Sequence, residues 1–255
     1  MKKCRLCLKE KKLIKAHIIP DFMYSGLKAE DDKNIFYEVT YDLETDKSKP
    51  KKIQTGEFDK NILCSDCDNR ILGSNYEKYA QKSMYGKNID PKIAPICKNF
   101  KNPNDGSEYS VCTNIDYGKM KLFLLSLLWR SSITDRKLFK EVSLGEKHEE
   151  RIRKILYEEI IPSELEYPIL MTSFMRTDNS LKNIITQPKR IKYKNGINGY
   201  MFLIDSIQFM FFVNSPNHRM PEYVTRTIMK ENGEMTILHL KNGKELEFLK
   251  AILNK

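Results

Sequence analysis

The sequence predicts an α+β protein in which an N-terminal module anchored by cysteines precedes a helical segment and an antiparallel sheet. Cys4/Cys7 and Cys64/Cys67 repeat one C-x2-C spacing, the pattern in which two tight knuckles each supply two thiolates to a single tetrahedral zinc. Two long helical patterns follow, and beyond Pro162 the chain changes to short apolar runs separated by Asn-Gly pairs, which are hairpin-turn signals. Helices grouped ahead of strands give the α+β order.

The elements can be taken in turn. Residues 28–60 form a polar insert between the knuckles, in which 35–41, an apolar and aromatic run, reads as a strand and the charged stretch 46–52 as a loop tip. Beyond Cys67, residues 69–84 hold few breakers, and Ile71, Leu72, Tyr76 and Tyr79 recur near helical spacing; this predicts a helix from the second knuckle through Lys82, weakened at Gly73. Residues 86–116, with Pro91, Pro95 and Pro103, read as a loop-rich linker. It separates a module at 1–85 from an α+β unit at 117–255. In that unit 120–133 is apolar over about four turns and reads as a buried helix, while 146–160 is amphipathic and stopped by Pro162. Strands are expected at 168–174, 190–194, 199–205, 206–214 and 236–240, with Asn195-Gly196, Asn198-Gly199, Asn232-Gly233 and Asn242-Gly243 as turns.

Composition bounds the partners. A net charge of +10 over 255 residues and a pI near 9.1 draw the chain toward polyanions, nucleic acid first among them; a lysine-rich solvated surface is the other reading of the same charge. The sequence holds no apolar run of about 18 residues, and Met1-Lys2-Lys3-Cys4 lacks an apolar signal region, so no membrane partner and a cytoplasmic location are expected. In a reducing compartment paired cysteines read as metal ligands. Cys97 and Cys112 stand apart from the pairs and read as buried small residues or spectators.

Four thiolates close a zinc shell, so that metal is expected to be structural, with no open position for water. Chemistry requires another group, and His17, in Ala16-His17-Ile18-Ile19-Pro20, is the candidate. A neutral imidazole takes a proton from water at neutral pH, and a nearby divalent ion holds a scissile phosphate. Pro20 ends the strand and leaves the histidine near an exposed strand end. The other reading of His17 is a packing residue whose ring bonds a backbone carbonyl.

The order C-x2-C, His-Ile-Ile-Pro, Leu-Cys-x2-Cys and then a helix resembles the zinc-anchored HNH, or His-Me finger, endonucleases over residues 1–85. The resemblance implies a ββα-type module with Cys4, Cys7, Cys64 and Cys67 on a structural Zn2+ and His17 as general base. A catalytic Mg2+ or Mn2+ would complete it, and the reaction would be hydrolysis of phosphodiester bonds in nucleic acid, DNA above all, in a bacterial defence or mobile-element context. The chain departs from the family at three places. Ala16 stands where a metal ligand precedes the histidine; Asp59 and Asn61 share the neighbourhood of the loop asparagine; Asp68, followed by Asn69, stands where Asn or His follows the last cysteine. Aspartate is a competent hard-cation ligand, so the expected set beside His17 is Asn61 and Asp68, with Asp59, Asp68 and Glu77 as candidate ligands to the catalytic ion. Glu77 also reads as a surface glutamate paired with a lysine.

In the second unit, Phe123 and Trp129 read as core, and Lys189, Arg190, Lys192 and Lys194 as a basic strand that contacts nucleic-acid phosphates or else guards a sheet edge. This half is expected to bind substrate, a partner protein or a signal. Two functions follow: an HNH-type endonuclease, or a zinc-stabilised module that binds nucleic acid or protein, its catalytic site eroded at Ala16.

Overall fold

Two residues at each end of the first knuckle, Lys2–Lys3 (β1) and Glu10–Lys11 (β2), pair antiparallel and bring Cys4 and Cys7 to the tip of a tight turn. The turn closes with Leu8 N–H donating to the Cys4 carbonyl, Leu8 itself being left-handed at φ 59°. The structure, a computed structural model, describes residues 2–27, 36–42, 47–53, 55–85, 88–178, 181–182, 184–193, 196–214, 218–244 and 247. Ala16–His17 (β3) pairs with Phe58–Asp59 (β6), and the insert between them carries a hairpin of Phe36–Asp42 (β4) and Lys47–Ile53 (β5). The first strand matches the one expected at 35–41, but the charged run read as a loop tip is the second strand, running from Lys47 to Ile53. Ile35 and Asp46 lie outside the described residues.

A helix, α1, runs over 66–85 as three continuous segments, Asp66–Glu77, Lys78–Ala80 and Gln81–Tyr85. It reaches one turn's length past its expected end at Lys82. Much of it is wound wide, with i→i+5 bonds such as Lys78 N–H to the Gly73 carbonyl. Residues 86–116, expected to be a linker, instead hold Ile96–Lys101 (β7) and Glu108–Thr113 (β8), paired antiparallel. Every residue of β7 is exposed; such a strand has no buried face and so no apolar alternation to reveal it. The same register sets Cys97 opposite Cys112, with Cα atoms 3.9 Å apart, and the two form a disulfide. The expectation that these cysteines are spectators is thereby corrected.

Tyr117–Ile133 (α2) and Glu146–Tyr157 (α3) match the two predicted helices. α2 starts where the Asp116 carboxylate accepts the Lys119 N–H, an N-cap, and is buried almost all round, as its apolar sequence requires. α3 ends ahead of Pro162, at Tyr157, and the chain turns away with Glu159 left-handed. The remaining elements are Ile169–Ser173 (β9), Lys189–Lys192 (β10), Asn198–Ile204 (β11), Ile207–Val213 (β12), Glu222–Thr227 (α4) and Met235–His239 (β13). They join β7 and β8 in one seven-stranded sheet, ordered β10-β11-β12-β9-β13-β8-β7. All neighbours are antiparallel except β9 and β13. The architecture is mixed α+β.

Asn198-Gly199 was expected to turn but lies inside β11; the β11–β12 turn is made by Asp205 and Ser206, both left-handed, the backbone of a type I′ hairpin. Strand alternation divides the sheet's apolar side chains between two layers. Tyr200, Phe202, Phe209 and Phe211 face the layer shared with α2 and α3, while Met201, Leu203, Met210 and Phe212 face Val224 and Ile228 around α4. The first layer continues without interruption into the N-terminal residues Leu6, Ile18, Ile71 and Tyr76. Phe22 from the first half stacks on Phe123 of α2 with centroids 6.0 Å apart. None of the described helices is long and apolar enough to cross a membrane.

Candidate metal centre and the His17 cleft

Both knuckles are assembled by backbone bonds. Arg5 N–H donates to the Ile62 carbonyl and Ile14 N–H to Leu63, drawing the first knuckle against the approach to the second; Cys64 N–H points at Cys4 Sγ, 3.4 Å away. The four sulfurs of Cys4, Cys7, Cys64 and Cys67 lie within 4.8 Å of one another, close enough to hold one metal ion. Three of the residues are buried. Hydrogen bonding from the Cys67 thiol holds Cys4 down at about 4, while that bond and burial push Cys67 far up; burial also raises Cys64. Sulfurs this close and this buried resist ionising together. A divalent cation is what lets such a set ionise together.

Beside this cluster is a cleft of about 410 Å³ lined by His17, Asp21, Asp68, Asn69, Glu77 and Arg130, among others. β3 delivers His17 to its rim. Adjacent strand positions point to opposite faces, so His17 and its partner Phe58 share one face while Ala16 and Asp59 share the other. α1 supplies the floor through Asp68, Gly73, Glu77 and Gln81, spaced at four or five residues along its wide turns. A Cβ at Gly73 would come within 3.1 Å of the Asp68 carbonyl.

The electrostatics of the cleft are set first by burial and then by the charges around it, with Asp21 the largest of these on His17 and Arg130 the largest on Asp68. Burial pulls His17 below the usual histidine range, which favours the neutral ring, and its Nε2 is buried without a hydrogen-bond partner among the described residues. Asp68 is pushed up to about 6, chiefly by burial; Arg130 opposes the shift and Glu77 adds to it. Arg130, from α2, is 1 % exposed. Its Nη1 donates to the His17 carbonyl at 2.7 Å, its Nε and Nη2 bond Ser126, and Nη2 lies 2.8 Å from Glu77 Oε1. That last contact is a charge pair outside hydrogen-bond geometry, so Glu77 Oε1 retains its accepting capacity.

Of the residues singled out from the sequence, His17, Asp68 and Glu77 share this cleft. Glu77 pairs with an arginine, where the sequence offered a lysine. Asp59 and Asn61 are directed elsewhere. Asp59 accepts from the Thr134 hydroxyl at 2.8 Å and from Asn61 N–H at 2.7 Å, bracing the β6 turn, and the Asn61 side chain accepts from Lys2 Nζ at 2.6 Å on an exposed face. Lys189, Arg190 and Lys192 lie on β10, an edge strand of the large sheet, where the Arg190 guanidinium bonds Asn198; Lys194 lies outside the described residues. Arg130 was not singled out as a site residue, because in sequence it is one polar residue ending an apolar helix. Only the packing of α2 against β3 and α1 reveals it.

No protein-family model, no curated protein and no solved structure matches this chain.

Proposed function

We propose that the His17 cleft hydrolyses phosphodiester bonds in nucleic acid, DNA first, as an HNH-type endonuclease built on a zinc-anchored ββα unit of β3, β6 and α1. The observation that carries this reading is the convergence of an imidazole Nε2 that has no hydrogen-bond partner among the described residues with two carboxylates, Asp68 and Glu77, in a cleft next to a four-cysteine cluster. Four soft sulfurs suit Zn2+ better than a hard cation, and they leave it no open position, so its part is to hold the knuckles together. The oxygens of Asp68, Glu77 and Asn69 suit Mg2+ or Mn2+.

In this reading His17 Nε2 takes the proton of the attacking water, for which burial suits it by favouring the neutral ring. The bond from Arg130 to the His17 carbonyl holds the β3 backbone, and therefore the ring, in position. A divalent ion, when bound, supplies charge stabilisation at the scissile phosphate. Asp68 and Glu77 offer it oxygen ligands, and Glu77 would exchange its Arg130 contact for the cation. That contact, together with Ala16, also favours the second reading, a module that binds nucleic acid or protein without cutting.

The experiment is plasmid nicking by the purified protein with Mg2+ or Mn2+. Nicking is expected, with His17→Ala reducing it a hundredfold or more, the scale of a lost general base, while zinc content stays unchanged. Retention of DNA with no nicking under either metal would leave only the binding module.

A further inference from the structure

A second cleft, of about 450 Å³, opens on the neighbouring face of α1, among Asn75, Lys78, Lys82, Asn114, Asp116 and Lys119. Its charge is unbalanced. Three lysines face one aspartate, and Lys119 already pairs with that aspartate at 2.8 Å. Lys78 and Lys82 are exposed and make no ion pair among the described residues. Four residues apart on one helix, they stand roughly 6 Å from each other. The N-terminal end of α2 opens into the same space through Asp116 and Lys119, which adds to the positive field there.

The position of this cleft relative to the first gives it a meaning. α1 carries Gly73, Glu77 and Gln81 into the His17 cleft, and one residue further on, Ser74, Lys78 and Lys82 into the lysine cleft. The helix is therefore a ridge between an anion-handling site and a cationic trough. A helix with its side chains is about 10 Å across, the length of roughly three nucleotides of one strand. We propose that the lysine cleft is a binding site for the phosphodiester backbone of DNA, with Lys78 and Lys82 as its phosphate contacts and Asn75 as a neutral hydrogen-bonding wall. A strand crossing α1 would be held here while a phosphate about three nucleotides along lies at His17. The path across the ridge rests on the nuclease reading; the lysine site itself does not require cleavage.

The test uses the full-length chain carrying His17→Ala, so that binding is read without cutting, and a fluorescein-labelled 20-base-pair DNA duplex followed by anisotropy between 50 and 200 mM KCl. Adding Lys78→Ala and Lys82→Ala leaves exposed helical positions with a good helix former, so folding is expected to be retained. The expected result is at least tenfold weaker binding at 100 mM salt and a salt slope shallower by about two, near 0.9 per lost phosphate contact. An equal charge removal on β7, Lys98→Ala with Lys101→Ala, at exposed positions given no part in binding, is expected to leave both unchanged. The inference is overturned if the α1 pair behaves like the β7 pair, or if the parent does not bind the duplex. Nicking by the His17 protein is scored separately: lysine-dependent binding without nicking refutes the nuclease and leaves this site standing, whereas nicking without lysine dependence does the reverse.

Discussion

Lys121 shows how a single residue sets a property of this molecule. It lies on α2 with 1 % of its surface exposed, its Nζ donating to the Tyr167 carbonyl at 2.8 Å, and burial pulls it down to about 7 from 10.5. The folded chain then gives up this proton near pH 7, whereas the unfolded chain holds it to about 10.5. Between those values the unfolded state binds more protons, so stability rises with pH, by at most about 1.4 kcal/mol per pH unit from this group. Below pH 7 both states are protonated and the full penalty of a buried ammonium persists. Urea melts at pH 7, 8 and 9 are expected to show the rise, and Lys121→Met is expected to flatten it. A variant that keeps the slope would assign it to other groups. In sequence Lys121 is one basic residue near the start of an apolar helix; only the packing around α2 makes it a buried base.

At the scale of elements, the two knuckles and α1 form one mechanical unit. The first knuckle is joined to the second by the Arg5 and Ile14 backbone bonds, and the second is the N-terminus of α1, where Asp68 N–H donates to the Cys64 carbonyl. These elements are too short to persist alone: β1, β2, β3 and β6 have two residues each. A metal held by four thiolates contributes on the order of 10 kcal/mol to such a unit. Cys64→Ser is therefore expected to lose the metal and to melt the N-terminal part, measured by metal analysis and circular dichroism. Unchanged metal content and an unchanged melt would remove the four-cysteine assignment. Much of this scale was legible, because knuckle spacing and helical period are local in sequence. What was not legible has a physical cause in each case. β7 is exposed at every position and so has no alternation, and β5 is a charged ribbon strand whose pairing alone defines it. The wide winding of α1, which sets Asp68, Gly73, Glu77 and Gln81 in one line, is a matter of hydrogen-bond choice that residue type does not announce.

Across the whole molecule, residues 1–85 are held to the rest by buried polar clamps as well as by a shared core. Arg153 of α3 donates to the Leu6 carbonyl at 2.7 Å and is tied to Glu150; Arg130 grips β3; Tyr76 on α1 donates to the Leu156 carbonyl at 3.3 Å; Arg136 meets Glu57 in a two-bond fork. Removing one side would cost the buried Arg130 and Arg153 one carbonyl partner each or expose Ile18, Ile71, Leu72 and Tyr76. The full chain is accordingly expected to unfold in a single transition, and a fragment of residues 1–85 with zinc to give a poorly dispersed NMR spectrum. A well-dispersed spectrum from that fragment would show that the clamps are dispensable.

The sequence by itself determined the four thiolates and their pairing into knuckles, the two long helices, most of the sheet strands and the histidine between the cysteines, because spacing and periodicity act over a few residues. Tertiary structure alone decided the rest. It inserted β13 parallel to β9, joined Cys97 to Cys112, turned Asp59 and Asn61 away from His17 and brought Arg130 to it from a helix more than a hundred residues on. It also set a lysine-lined cleft against α1. Those placements depend on which surfaces meet when the layers pack, and no local pattern in the chain encodes a meeting between distant surfaces.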